Sequence, residues 1–180
     1  DVYKRQVHAV KESDLYWRTK SGEFAPIRSL PDGWLDYEAA IADLPRRPGG
    51  QAYKWLTGIG VDFGMNPHPM AITAWSFCLD IKGIWELWSW KKVGLVPDDQ
   101  RDAIWRIVRQ VEHLSVLVGD PGGQKIGDLI AWKERTGLPI EPADKDKKAT
   151  WQEMLNGDIR KGLAHFRKGS PMLYLSLIHI

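Results

Sequence analysis

Two apolar runs, each ending in an aspartate, constrain the fold of this chain more than any other feature. The first is WLTGIGVDFG, Trp55–Gly64, and the second is LSVLVGDPGG, Leu114–Gly123. Short, mostly apolar runs of this kind are typical of buried strands. Open α/β sheets bind ligands at the carboxyl ends of their strands. We therefore expect Asp62 and Asp120 to end two central strands and to form a site.

The segments around these runs predict one mixed α/β domain. With 180 residues, 43% of them hydrophobic, the chain can bury one substantial core. Apolar periodicity and turn residues predict the order βββαβαβαβ, after a short helix at 35–43. The expected strands are 55–64, 70–79, 83–92, 114–119, 138–143 and 163–166, and the expected helices begin near residues 97, 126 and 151. Three strands in a meander, followed by strands that alternate with helices, imply a mixed sheet with helices on both faces.

Composition excludes several classes of protein. Cys78 is the only cysteine, which excludes a disulfide framework and a cysteine-rich zinc site, and makes an intracellular location the simplest expectation. No run approaches the roughly 20 apolar residues of a membrane helix, so we expect no membrane contact. The net charge of +2 permits nucleic-acid binding without requiring it.

Two aspartates on adjacent strands could share divalent cations. Carboxylate oxygens are preferred ligands of Mg²⁺ and Mn²⁺, and two such ions can activate water and stabilise both oxygens of a phosphoryl displacement. Gly64 and the Gly122–Gly123 pair would leave room for a phosphodiester backbone. The alternative is structural, because an aspartate after a strand is often only a turn former or a helix cap.

Four short motifs occur in the order seen in one protein family. They are GVDFG, VGDPGG, IEPADK and LNGDIRKG, at residues 60–64, 118–123, 140–145 and 155–162. From about Tyr53 to Pro171 the chain resembles the nuclease domain of phage terminase large subunits. This resemblance implies an RNase H-like fold and a two-metal endonuclease that cuts concatemeric viral DNA during genome packaging. Asp62 would bridge two Mg²⁺ or Mn²⁺ ions, and Asp120 would be the second acid.

The resemblance also implies what the remaining parts of the chain are. The family has a third acid near its C-terminal end that this chain lacks, which puts its own activity in question. Residues 7–52 would be the lead-in from a missing ATPase domain, and 53–174 a C-terminally truncated nuclease domain. Residues 1–6 and 175–180 look like translated sequencing adapter, with native terminal strands as the alternative. No Walker A pattern occurs, so a motor ATPase would lie upstream.

The expected partners follow from the same resemblance. They are double-stranded DNA, the ATPase domain of the same subunit, the portal and the small terminase subunit, in the cytoplasm of an infected bacterium. Lys145, Lys147 and Lys148 are candidate contacts to DNA phosphates, with a solvated charge run as the alternative. Two weaker candidates are His68, which lies between two prolines near the candidate site and could touch substrate or simply be exposed, and Glu86, which lies on the predicted hairpin and could reach the metals.

Two other functions remain open on the sequence. A nucleotide-binding domain of the actin and sugar-kinase type shares the RNase H-like core and holds phosphates on Asp-x-Gly turns. Val61 to Gly64 and Gly119 to Gly123 could form such turns. A catalytically inactive module that holds DNA is the second alternative. Asp62-Phe63-Gly64 also spells the metal-binding tripeptide of protein kinases, but the other kinase motifs are missing.

Overall fold

The structure, a computed structural model, describes residues 12–64, 68–120, 126–144 and 146–171. Two short helices, α1 (Glu12–Leu15) and α2 (Tyr37–Ala42), precede a run of strands, β1 (Leu56–Asp62), β2 (Met70–Phe77) and β3 (Ile84–Lys92). Helices and strands then alternate: α3 (Pro97–Val108), β4 (Leu114–Asp120), α4 (Ile126–Thr136), β5 (Glu141–Pro142), α5 (Lys148–Arg160) and β6 (Ala164–His165).

One six-stranded sheet organises the chain, in the order β5-β4-β1-β2-β3-β6. Strands β1, β2 and β3 form an antiparallel meander. Strand β4 is parallel to β1, β5 to β4, and β6 to β3. From β1 onward the order of elements is βββαβαβαβ, so the predicted α/β class and mixed sheet are confirmed.

The two faces of β1 carry different residues. Thr57, Ile59 and Val61 are buried on one side, which we call the core face. Gly58, Gly60 and Asp62 alternate with them and point to the other side, which we call the acid face. The strand is therefore largely apolar toward the core, and on the acid face it has only glycines between Leu56 and Asp62.

Helices cover both faces of the sheet, as predicted. On the core face, Ile104 and Ile107 of α3 are completely buried in the main apolar cluster, which also holds Leu129 of α4. On the other face, Leu155 and Ile159 of α5 pack in a second cluster with Trp75, Ile84 and Phe166. Among the described helices, none combines the length and apolarity that crossing a membrane requires.

The segment before β1 is packed into the same core as the sheet. Trp17, Ala25, Trp34, Leu35 and Leu44 are all buried members of the main cluster. The ring centroids of Trp34 and Trp88, on β3, lie 5.0 Å apart. Residues 15–44 thus contribute to the folded unit described here, while their assignment as a lead-in from an ATPase domain stays a prediction.

The last two strands are shorter than the apolar pattern predicted. Residues 138–143 were expected as a strand, yet β5 has only two residues, although Leu138 and Ile140 are buried. Pro139 and Pro142 have no N–H to donate, which limits pairing in this segment. The predicted glycine cap of α4 is confirmed, because Gly137 has φ +72° and its N–H donates to the Lys133 carbonyl at 2.9 Å.

Candidate metal centre

Asp62 and Asp120 are paired across neighbouring parallel strands. The register runs Gly60 with Val118, Val61 with Gly119, and Asp62 with Asp120. Adjacent strands lie about 4.8 Å apart, and residues paired in this way point to the same face of a sheet. The predicted convergence of the two acids at one strand end and on one face is therefore what the fold produces.

Asp62 is exposed, and its carboxylate is oriented by the turn that follows it. The Gly64 N–H donates to Asp62 Oδ1 at 3.1 Å. This hydrogen bond is the turn-forming role that we considered as the alternative to metal binding. It uses one carboxylate oxygen, and among the described residues Oδ2 has no hydrogen-bond donor, so the carboxylate is held in place with a free oxygen.

Gly64 is required by the turn itself, which is a reason for glycine that the sequence reasoning did not include. Its φ is +53°, and a Cβ atom added there would lie 2.1 Å from the Pro69 carbonyl oxygen. The glycine therefore lets two backbone segments touch, and the room that it would leave for a phosphodiester stays a prediction. Gly122 and Gly123 lie outside the described residues.

The acid face beside Asp62 has low relief. Gly60 and Gly58 precede Asp62 on this face, and added Cβ atoms would lie 3.2 Å from Thr73 Cγ2 and 3.3 Å from Val116 Cγ1, respectively. Val116 is 42% exposed although it lies on a central strand. Glycines within a strand often mark the close approach of a ligand or another backbone. An extended polyanion could therefore lie along this face up to the two acids.

Glu86 is not part of the acid pair. Glu86 pairs in register with Trp75, whereas Asp62 pairs with Ala71 on the same strand. Trp75 and Ala71 are four residues apart along β2, or about 13 Å at about 3.3 Å per residue, so Glu86 lies that far along the sheet from the acids. Burial raises the pKa of the Glu86 carboxyl, while hydrogen bonds from Ser170, from the Arg167 N–H and from Ser89 act in the opposite direction.

No third acid joins the pair within the described ranges. Among those residues, no three His, Cys, Asp or Glu side chains form a group that could hold a metal ion. Asp158 is a poor substitute for the third acid on the sequence, since its predicted helix has its apolar face elsewhere, and it lies half-buried in α5. The two aspartates offer the hard oxygen donors that Mg²⁺ and Mn²⁺ prefer. A complete site would need further ligands from water, DNA or a protein segment beyond these ranges.

The predicted cationic cluster is only partly described. Lys147 is exposed and lies 3.0 Å from Asp144 in an ion pair, and a hydrogen bond from Lys147 lowers the pKa of Asp144. Lys145 and the side chain of Lys148 lie outside the described residues. Sequence reasoning missed another cation, Lys91, which is paired with Ala71 and so lies in the same row as Asp62. The hairpin register could have revealed it.

His68 lines a small cleft beside the Asp62 turn. The cleft has a volume of about 160 Å³ and is also bounded by Phe63, Gly64 and Gln100. Gln100 Nε2 donates to the Phe63 carbonyl at 3.0 Å, which ties the start of α3 to this turn. The His68 side chain is exposed, so it is available to solvent near the acids.

No protein-family model matches the chain, and no curated protein matches it in sequence. Solved structures do match. The large terminase of a thermophilic bacteriophage has a TM-score of 0.56 and 11% identity over 74% of this chain and 33% of that one. The zinc-bound large terminase nuclease of thermophilic phage G20c has a TM-score of 0.53 and 17% identity over 76% of this chain and 80% of that one.

A third match is the nuclease domain of the P22 large terminase, with a TM-score of 0.53 and 15% identity over 77% of each chain. This chain spans about a third of the length of the first of these large terminases but most of the two nuclease structures. At these identities the likeness concerns the fold. The chain has the fold of the nuclease domain of phage large terminases, as the resemblance in sequence implied.

Proposed function

We propose that this chain is the nuclease part of a phage terminase large subunit and that it cuts concatemeric viral DNA during genome packaging. One observation carries the proposal. In a terminase-nuclease fold, Asp62 and Asp120 are register partners at one end of two central strands and share one face. Two neighbouring acids at an exposed strand end suit a hydrolase that uses divalent cations better than they suit a structural role.

We further propose that both carboxylates bind Mg²⁺ or Mn²⁺, with two ions in the complete domain. The fit rests on the donor set, since the acids supply hard oxygens and Asp62 Oδ2 has no protein donor among the described residues. When bound, such ions lower the pKa of water and neutralise charge on a phosphate. Asp62 and Asp120 are the residues that would hold these ions.

The protein's own residues would present and orient the DNA. The bond from Gly64 fixes the Asp62 carboxylate before substrate arrives, which lowers the cost of assembling the site. The row Gly58, Gly60, Asp62 leaves a smooth path on the acid face for a phosphodiester backbone. Lys145, Lys147 and Lys148 would add salt-dependent contacts to phosphates.

The wider assignments are also proposals. Residues 7–52 would lead in from an ATPase domain, 53–174 would form the nuclease domain, and 1–6 and 175–180 would be adapter-derived. The large subunit would act with the portal and the small terminase subunit in the cytoplasm of an infected bacterium.

A second candidate is a catalytically inactive module that holds DNA. It is favoured by one observation, namely that the described residues contain no group of three metal-binding side chains. The two candidates differ in one measurable property, since only the first one cuts DNA.

Plasmid nicking with Mn²⁺ tests the proposal. The full chain should nick supercoiled plasmid. Loss of a residue that only supports a metal ligand lowers activity by up to about 100-fold, so loss of the ligand itself in Asp62→Asn should reduce the rate by at least that much. Asp120→Asn should also lower the rate of nicking. Asp80→Asn is the matched control, because this exposed aspartate lies in the turn after β2, at the opposite end of the sheet, where it pairs with Arg47.

Equal nicking by the wild type and Asp62→Asn would end the assignment of this site. No nicking by the wild type, combined with duplex binding, would support the inactive DNA-holding module. ATP binding without any effect on DNA would instead support a nucleotide-binding domain.

A further inference from the structure

A lysine shares the row of the two acids. Asp62 pairs with Asp120 on one side and with Ala71 on the other, and Ala71 pairs in turn with Lys91 at the end of β3. The row across four neighbouring strands is therefore Asp120, Asp62, Ala71, Lys91. Since register partners point to the same face, Lys91 lies on the acid face.

The spacing of this row suits a ligand longer than one phosphate. Two strand spacings of about 4.8 Å separate the backbone of Asp62 from that of Lys91, or roughly 10 Å. Only the methyl group of Ala71 stands between them on this row. None of the ion pairs among the described residues joins Lys91 to Asp62, so the lysine lies in the row of the acids without being paired to that carboxylate.

Lys91 is exposed, and none of the ion pairs found among the described residues includes it. Some other cations are engaged in ion pairs, for example Lys147 with Asp144, Arg106 with Asp32, and Lys133 with Glu141. A cation that is free of such pairing can attract an anion without first breaking a contact within the protein.

We propose that Lys91 binds a DNA phosphate within about three nucleotides of the one held at Asp62 and Asp120, and so positions the strand that is cut. This inference rests on the proposed function. Two carboxylates repel a polyanion, and bound cations would relieve that repulsion only at the scissile phosphate. Since phosphates of one strand are spaced about 3.4 Å along the duplex axis, a 10 Å offset corresponds to a phosphate within about three nucleotides.

Lys92 provides a matched control. It is the next residue, carries the same charge and is also exposed. It pairs with Met70, a residue that is buried on the core face, so Lys92 points away from the acid face. A role that depends on the acid face is expected for Lys91 alone, whereas a general effect of positive charge is expected for both.

The test compares Lys91→Gln, Lys91→Arg and Lys92→Gln in the full chain. For Lys91→Gln we expect the slope of log affinity for duplex DNA against log salt to become shallower by about 0.9, which is about an eightfold loss at 0.1 M salt. In Mn²⁺-dependent nicking, KM for plasmid should rise by a similar factor, while kcat and the Mn²⁺ concentration for half-maximal rate stay unchanged. Lys91→Arg should restore both values, and Lys92→Gln should match the wild type.

The two proposals fail in different ways. If Asp62→Asn is inactive but Lys91→Gln keeps the wild-type KM and salt slope, the role of Lys91 is refuted and the acid pair stands. Equal losses in Lys91→Gln and Lys92→Gln would also refute it, because the effect would not depend on the face. If the wild type does not nick DNA, the proposed nuclease activity fails, and the salt slope still decides whether Lys91 contacts phosphate.

Discussion

Replacing Arg167 with methionine should destabilise the whole domain, including the segment before β1. The Arg167 side chain is completely buried. Its guanidinium donates to the carbonyl oxygens of Pro26 at 2.7 Å, Ala40 at 2.8 Å and Glu86 at 2.9 Å, and to Asp43 Oδ2 at 2.8 Å. One side chain thus joins residues 26–43 to β3.

The expected cost follows from these bonds. Methionine fills much of the volume but donates nothing, so it leaves three carbonyl groups without this donor and removes one charge from a buried pair. Breaking a buried ion pair by removing one partner costs about 3–5 kcal/mol. That is a large share of the roughly 5–15 kcal/mol by which most domains are stable. Asp43 keeps a second partner, Arg28, at 2.7 Å, which moderates the loss.

Urea unfolding measures the change, and Arg28→Met is the control. The Arg28 side chain is 39% exposed and shares Asp43, so we expect its loss to cost about 1 kcal/mol or less. Hydrogen exchange should also accelerate in Arg167→Met at the Ala25 N–H, which donates to the Trp17 carbonyl at 2.9 Å. A cost for Arg167→Met no larger than that of Arg28→Met would refute the claim that Arg167 anchors this segment.

Two further substitutions test other parts of the fold. Because burial raises the folded-state pKa of Glu86 above its unfolded value, the wild type should lose stability as pH rises from the ordinary glutamate pKa toward the raised one. Glu86→Gln should remove that decline in the free energy of unfolding, which amounts to at most about 1.4 kcal/mol per pH unit. The same pH profile of unfolding in Glu86→Gln and the wild type would contradict this prediction. Gly64→Ala should unfold at lower urea than Gly94→Ala. Both glycines have positive φ, with a cost of about 1–2 kcal/mol each, but only Gly64 would also clash with backbone. Equal midpoints would show that the Gly64 turn relaxes.

The sequence was sufficient to predict the sheet centre and the acid pair. The runs that end at Asp62 and Asp120 are apolar, short and bounded by glycine, which leaves few alternatives to buried strands. A parallel arrangement of such strands brings their carboxyl ends together without any long-range information. The prediction succeeded because local patterning and sheet geometry specify the same arrangement.

Other features depend on contacts that no local pattern reveals. Trp17 and Trp34 lie in a segment rich in proline, glycine and charge, yet they are buried against the sheet. Glu86 resembles an active-site candidate in sequence, but its partners include Arg167 and Ser170, more than 80 residues away. Lys91 became a candidate only when the register of the hairpin was known.

The acid pair is tested most directly by Mn²⁺ binding to the full chain. The electron paramagnetic resonance signal of the free ion measures this binding. It does not depend on DNA cleavage or on a third acid. We predict that the wild type and Asp80→Asn bind Mn²⁺ with the same affinity, and that Asp62→Asn and Asp120→Asn each bind at least about tenfold more weakly. Equal Mn²⁺ affinity in Asp62→Asn and the wild type would contradict the account.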